Sequence, residues 1–64
     1  MKRYPVVISS SLSVYQGDKV DLILDAEDHQ QALERGHKAG MRIFGGAEYS
    51  DIQVHVKLPL KEMN

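Results

Sequence analysis

Ser11, Asp21 and His55 have the residue types of a nucleophilic triad, in which an imidazole takes the hydroxyl proton and a carboxylate orients the ring. Alternation of the surrounding sequence puts the three on one side of neighbouring extended segments. A triad also needs oxyanion donors and a water-poor pocket, and a flat sheet face supplies neither. The three therefore read as solvated polar groups, and no enzyme activity is expected of them. His29, His37 and His55 are the candidate metal ligands. His29 and His37 fall two turns apart on a helical period, and no carboxylate and histidine have ligand spacing, so neither a metal nor another cofactor is expected. Gly45-Gly46 lacks a following Lys-Ser or Lys-Thr and does not open a helix, which separates it from a phosphate loop.

Charge offers a second kind of chemistry. Asp18, Asp21, Asp25, Glu27 and Asp28 gather a large share of the nine acids, while the cations Arg35, Lys38 and Arg42 follow. Helix capping and dipole complementation account for much of this order, and an acidic end can also steer toward a basic surface on another macromolecule. These five acids are the charged candidates for partner binding. Tyr15, Ile23, Phe44, Tyr49 and His55 are the apolar and aromatic ones.

The elements that must position these residues are few. The chain has 64 residues, a net charge of −1, 42% hydrophobic and 27% charged residues, and no cysteine. That is globular composition with a thin core and no covalent staple. A strongly basic nucleic-acid binder and a heavily acidic mimic are both excluded. The early apolar run Val6-Val7-Ile8 is too short for a signal core or a membrane span, so a cytoplasmic protein with no membrane partner is expected.

Residues 6–15 alternate, with Val6, Ile8, Leu12 and Val14 on one face and Val7, Ser9, Ser11, Ser13 and Tyr15 on the other, after Pro5 at the first position. Gln16-Gly17-Asp18 signals a turn. Val20, Leu22, Leu24 and Ala26 then alternate against Lys19, Asp21, Ile23 and Asp25. Both inward sets are even-numbered, so paired residues must have an even sum; Val14 with Val20 and Leu12 with Leu22 meets this, around a three- or five-residue loop with Gly17 or Asp18 left-handed. Residues 28–39 read as a helix, with Asp28 as N-cap, Gln31 completing a capping box, a Glu34 and Lys38 pair, and Gly40 as a left-handed stop. Ala32, Gly36 and Gly40 form a stripe that lets the helix lie low on a sheet, and Leu33 is its one large apolar residue. Residues 41–51 are too apolar for a solvated loop and are expected to plug the core. Ile52, Val54, Val56 and Leu58 alternate as a last strand that Pro59 ends, with residues 60–64 frayed.

A right-handed crossover makes the last strand parallel to the second. The expected fold is α+β: a single domain over residues 1–64, core 5–59, with a ββαβ order and a three-stranded antiparallel sheet ordered 2-1-3 under one helix. The uncovered face suits a macromolecular contact or a second copy. Serines where an RNA-binding sheet carries stacking aromatics speak against direct nucleic-acid binding.

This layout over residues 6–58, with the strand-to-helix junction DAEDHQQA, resembles tiny phage-encoded accessory proteins, among them anti-CRISPR proteins. The resemblance implies a stand-alone, non-enzymatic protein that blocks or remodels a larger host machine through its surface. The expected partner is therefore another protein or a protein–nucleic acid complex, with a homodimer possible. The alternative is a small homodimeric DNA-binding regulator that reads DNA through its strands or through the Arg35, Lys38 and Arg42 side.

Overall fold

A computed structural model of the protein describes residues 1–60. Strand β1 (Lys2–Ser10) lies between β2 (Lys19–Ala26) and β3 (Ile52–Val56) in one antiparallel sheet of order β2-β1-β3. Helix α1 (His29–Ile43) packs on one face, which gives the ββαβ fold that the alternation and the crossover call for. Even positions turn inward along every strand: Tyr4, Val6 and Ile8, then Val20, Leu22, Leu24 and Ala26, then Ile52, Val54 and Val56.

The first strand starts and stops earlier than the alternation suggests. Its end follows from its serines, whose hydroxyls compete for backbone groups. The Ser10 hydroxyl accepts from the Leu12 amide at 3.2 Å, the Ser11 amide donates to the Asp51 carbonyl at 2.8 Å, and the chain coils into a short 3-10 helix, Ser13–Tyr15. Leu12 and Val14 therefore leave the expected core. Val14 is 76% exposed, and Leu12 is half-buried outside the core cluster. The register moves with the strand: Val20 pairs with Ile8 and Leu22 with Val6, not with Val14 and Leu12. The even sum survives and the loop stays odd, with Gly17 left-handed at φ 87°, but residues 10–18 between the paired Ser9 and Lys19 make it longer than the three or five residues expected.

Pro5 stands inside the central strand, not at its start. Its carbonyl accepts from the Lys57 amide at 2.9 Å, so its nitrogen faces the same side, just past the end of β3. The missing donor thus falls where the ladder is already ending. The Leu60 amide donates to the Arg3 carbonyl at 2.8 Å, which ties down the first residue of the tail expected to fray; residues 61–64 lie outside the described residues. Leu58, in step with Ile52, Val54 and Val56 in the alternation, lies past the end of β3 and is 87% exposed.

Asp28 caps α1 by accepting from the Gln31 amide at 2.8 Å. The Gln31 side chain reaches one residue further back than a capping box requires, to the Glu27 amide at 2.7 Å. Asp28→Ala removes an acceptor from an otherwise open first turn, and a loss of about 0.5–2 kcal/mol is expected in denaturant unfolding, with Asp28→Asn retaining most of it. Glu34 and Lys38 form no ion pair; the one ion pair among the described residues joins Arg3 to Asp25 at 3.7 Å, with both side chains largely exposed.

Gly40 does not stop the helix, which runs on to Ile43. Its role is close approach. A Cβ on Gly40 would lie 2.5 Å from Ile52 Cγ2 and 2.9 Å from Ile8 Cγ2, and one on Gly36 would lie 2.6 Å from Val54 Cγ1. The small-residue stripe of Ala32, Gly36 and Gly40 is buried against the sheet, while Leu33 is half-buried and outside the core cluster. Phe44, just past the helix, fills the space that a slim helix leaves and is 3% exposed.

Candidate interaction surface

The face opposite α1 carries the odd-numbered side chains of all three strands. Pairing arranges them in rows across the sheet: Asp25 beside Arg3; Ile23, Pro5 and Lys57; Asp21, Val7 and His55; Lys19, Ser9 and Gln53. Ile23 is 59% exposed, and with Pro5 and Val7 it makes an apolar centre bordered by the charges of Asp21, Lys57, Arg3 and Asp25. Pro5, Asp21, Ile23 and Lys57 line a shallow open depression there.

Of the residues singled out in the sequence, Asp21, Ile23, Asp25 and His55 meet on this face. Asp21 and His55 flank Val7 from either side. Ser11 does not join them: it lies beyond the end of β1, and its hydroxyl donates to the Asp51 carbonyl at 3.3 Å. The hydroxyl, carboxylate and imidazole are therefore not assembled into a triad.

Tyr15 is placed elsewhere than expected, and Phe44 plugs the core as the 41–51 segment is expected to, which removes it from the partner-binding candidates. Tyr15 turns to the helix side, where its ring meets Phe44 edge-on at 5.0 Å and its hydroxyl donates to the Gly45 carbonyl at 2.6 Å. Phe44, in the core, presents no surface to a partner. Tyr49 belongs to a second short 3-10 helix, Tyr49–Asp51, and stacks on His37 at 4.3 Å with an interplanar angle of 10°. His37 Nδ1 lies 2.9 Å from the Leu33 carbonyl. A carbonyl only accepts, so Nδ1 carries the proton.

Asp18 sits just before β2 and Glu27 and Asp28 just after its other end, so the acids form a line along one edge of the sheet, not a cluster. Asp25 is held by Arg3, and its carbonyl accepts from the Arg35 guanidinium. His29 is exposed at the start of α1, and no group of three or more histidine and acidic side chains suited to a metal ion occurs among the described residues.

Arg3 and Pro5 are the members of the open face that were not assigned from sequence. The signal was present: Arg3 and Pro5 are odd and Tyr4 even, which extends the parity of Val6 to Ile8 upstream. A proline at a strand start hid it. On α1, Arg35, Lys38 and Arg42 line a shallow groove with Ala39 and Ile43, on the flank from which Arg35 reaches the Asp25 carbonyl of β2. Among the described residues no helix is long and apolar enough to cross a membrane. Comparison with protein-family models, with curated proteins and with solved structures found no match.

Proposed function

We propose that this protein is a non-enzymatic protein-binding inhibitor or adaptor, which engages a larger protein or protein–nucleic acid complex through the open face of its sheet. The observation that carries this reading is the apolar centre of Ile23, Pro5 and Val7 framed by Asp21, Asp25, Arg3, Lys57 and His55. A flat surface with a greasy middle and a charged rim has the anatomy of a protein interface. The layout's resemblance to phage accessory proteins makes a host defence complex of the CRISPR–Cas type the first partner to test, in a cytoplasmic setting.

The test is infection of a CRISPR-immune bacterial strain with and without the protein. Plating efficiency of the targeted phage is expected to rise with the wild type and to fall back with Ile23→Asp, which places a charge at the face's exposed apolar centre and leaves the core alone. If wild type and variant restore phage equally, the open face is the wrong surface. If neither does, defence inhibition is the wrong function.

A second reading rests on the groove of Arg35, Lys38 and Arg42, none of which forms an ion pair among the described residues. A regulator that used it to hold DNA phosphates would bind duplex with an affinity falling steeply with salt.

A further inference from the structure

We infer that the free edge of β2 is a self-complementary dimerisation site, at which two copies pair antiparallel about a two-fold axis through Leu22 to form one continuous six-stranded sheet. This goes beyond the partner reading above and does not depend on it.

The edge is open in a defined way. The Pro5 carbonyl faces β3, so backbone groups alternate along β1 and the rungs to β2 fall on Val20, Leu22 and Leu24. Lys19, Asp21, Ile23 and Asp25 therefore turn their amides and carbonyls outward. The Arg35 guanidinium reaching the Asp25 carbonyl fits that direction, and the oxygen keeps a second lone pair for another donor. The side chains beside this edge are under-covered as well. The helix makes its closest approaches to β3 and β1, with Gly36 on Val54 and Gly40 on Ile52 and Ile8, and Val20, Leu22 and Leu24 at the β2 margin are only partly buried.

Sequence then selects the register. A two-fold pairing that keeps core face next to core face must be centred on one residue of the strand. Centring on Asp21 sets that carboxylate against itself, and centring on Ile23 sets Asp21 against Asp25 twice. Centring on Val20 or Leu24 shortens the overlap, because the strand begins at Lys19 and ends at Ala26. Centring on Leu22 uses residues 19–25 in full. It sets Lys19 against Asp25 of the second copy twice, so each Asp25 lies between its own Arg3 and the other copy's Lys19. On the core side Leu22 meets Leu22 and Val20 meets Leu24, which covers the partly buried margin. On the open side Ile23 stands diagonal to its counterpart. The other edge, β3, is shorter, and its symmetric pairing of Gln53 with His55 offers no charge pair to choose a register.

Sedimentation equilibrium of the purified chain over a concentration series is expected to show a dimer. Ile23→Pro removes an amide that the monomer's ladder leaves unused, and it should give a folded monomer by circular dichroism. Lys19→Asp and Asp25→Lys alone each place like charges opposite each other twice and should weaken the dimer roughly tenfold. Mixed together they restore both pairs, so a heterodimer should dominate in native mass spectrometry. A wild type that stays monomeric at its highest soluble concentration would overturn the inference, as would a dimer untouched by Ile23→Pro. If that variant fails to fold, the charge-swapped mixture decides, and no preference for the heterodimer would reject the register.

Discussion

Ile8→Ala is expected to bring the domain close to unfolding. Ile8 is 0% exposed, at the centre of the middle strand between Val20 and Val54 and beneath Gly40. Truncating a buried isoleucine costs about 2–5 kcal/mol, with the higher values where the surroundings cannot collapse into the space. Here the site is walled by two strands and by a helical glycine that has no side chain to swing inward. A chain of 64 residues has a total stability of roughly 3–10 kcal/mol, so one truncation removes a large fraction of it. Thermal unfolding should show a midpoint roughly 10–30 °C lower, with a broader transition. A drop of only a few degrees would mean that the sheet and helix are not packed about Ile8. Val14→Ala serves as the control: at 76% exposure it should change the midpoint little, although the alternation by itself puts Val14 in the core.

Gly40→Ala is the second, and its sign carries the information. Within a helix, alanine is favoured over glycine by about 1 kcal/mol, so an unconstrained site would be stabilised. At Gly40 the new methyl would fall 2.5 Å from Ile52 Cγ2 and 2.9 Å from Ile8 Cγ2, distances at which something must move. Both neighbours are β-branched residues on paired strands, so the helix has to lift. Overpacking of this kind costs about 1–3 kcal/mol, here toward the upper end, and the expected net loss is about 1–2 kcal/mol. Gly36→Ala meets only the half-buried Val54 and should lose less. Denaturant midpoints for the three proteins provide the measurement. A stabilised Gly40→Ala would show that the helix does not lie low on the sheet. Gly40→Ala should also cost less in an Ile8→Ala background, since one of the two obstructing methyls is then gone, and this non-additivity would place the pair in contact.

Those two residues illustrate where one-dimensional reasoning stops. A glycine in a helical pattern has two physical uses, a left-handed stop or a point of close approach, and both leave the same letter. Gly36, with helix on both sides, allowed only the second. Gly40, followed by Met41 and Arg42, allowed either, and the methyl groups of Ile8 and Ile52 decide it. The surface was legible to the same degree. Asp21, Ile23, Asp25 and His55 share a face because odd and even residues of a strand point opposite ways. Tyr15 turns the other way because it follows the end of β1, where periodicity no longer says which way a side chain points, whereas the apolar character of residues 41–51 is enough to send Phe44 into the core.

The sequence by itself determined the parity of the inward residues, the capped start of the helix at Asp28 and, through the hand of the crossover, that the last strand runs parallel to the second. These are local or chiral properties that each segment carries alone. Only the tertiary structure decided which Val20 rung is real. A pattern of period two is unchanged by a slide of two residues, so Ile8 and Val14 are equivalent partners until the chain ends its strand at Ser10. That ending is held by the Ser13–Tyr15 coil, whose Tyr15 rests on Phe44 and donates to the Gly45 carbonyl, contacts that exist only once the helix has packed on the sheet.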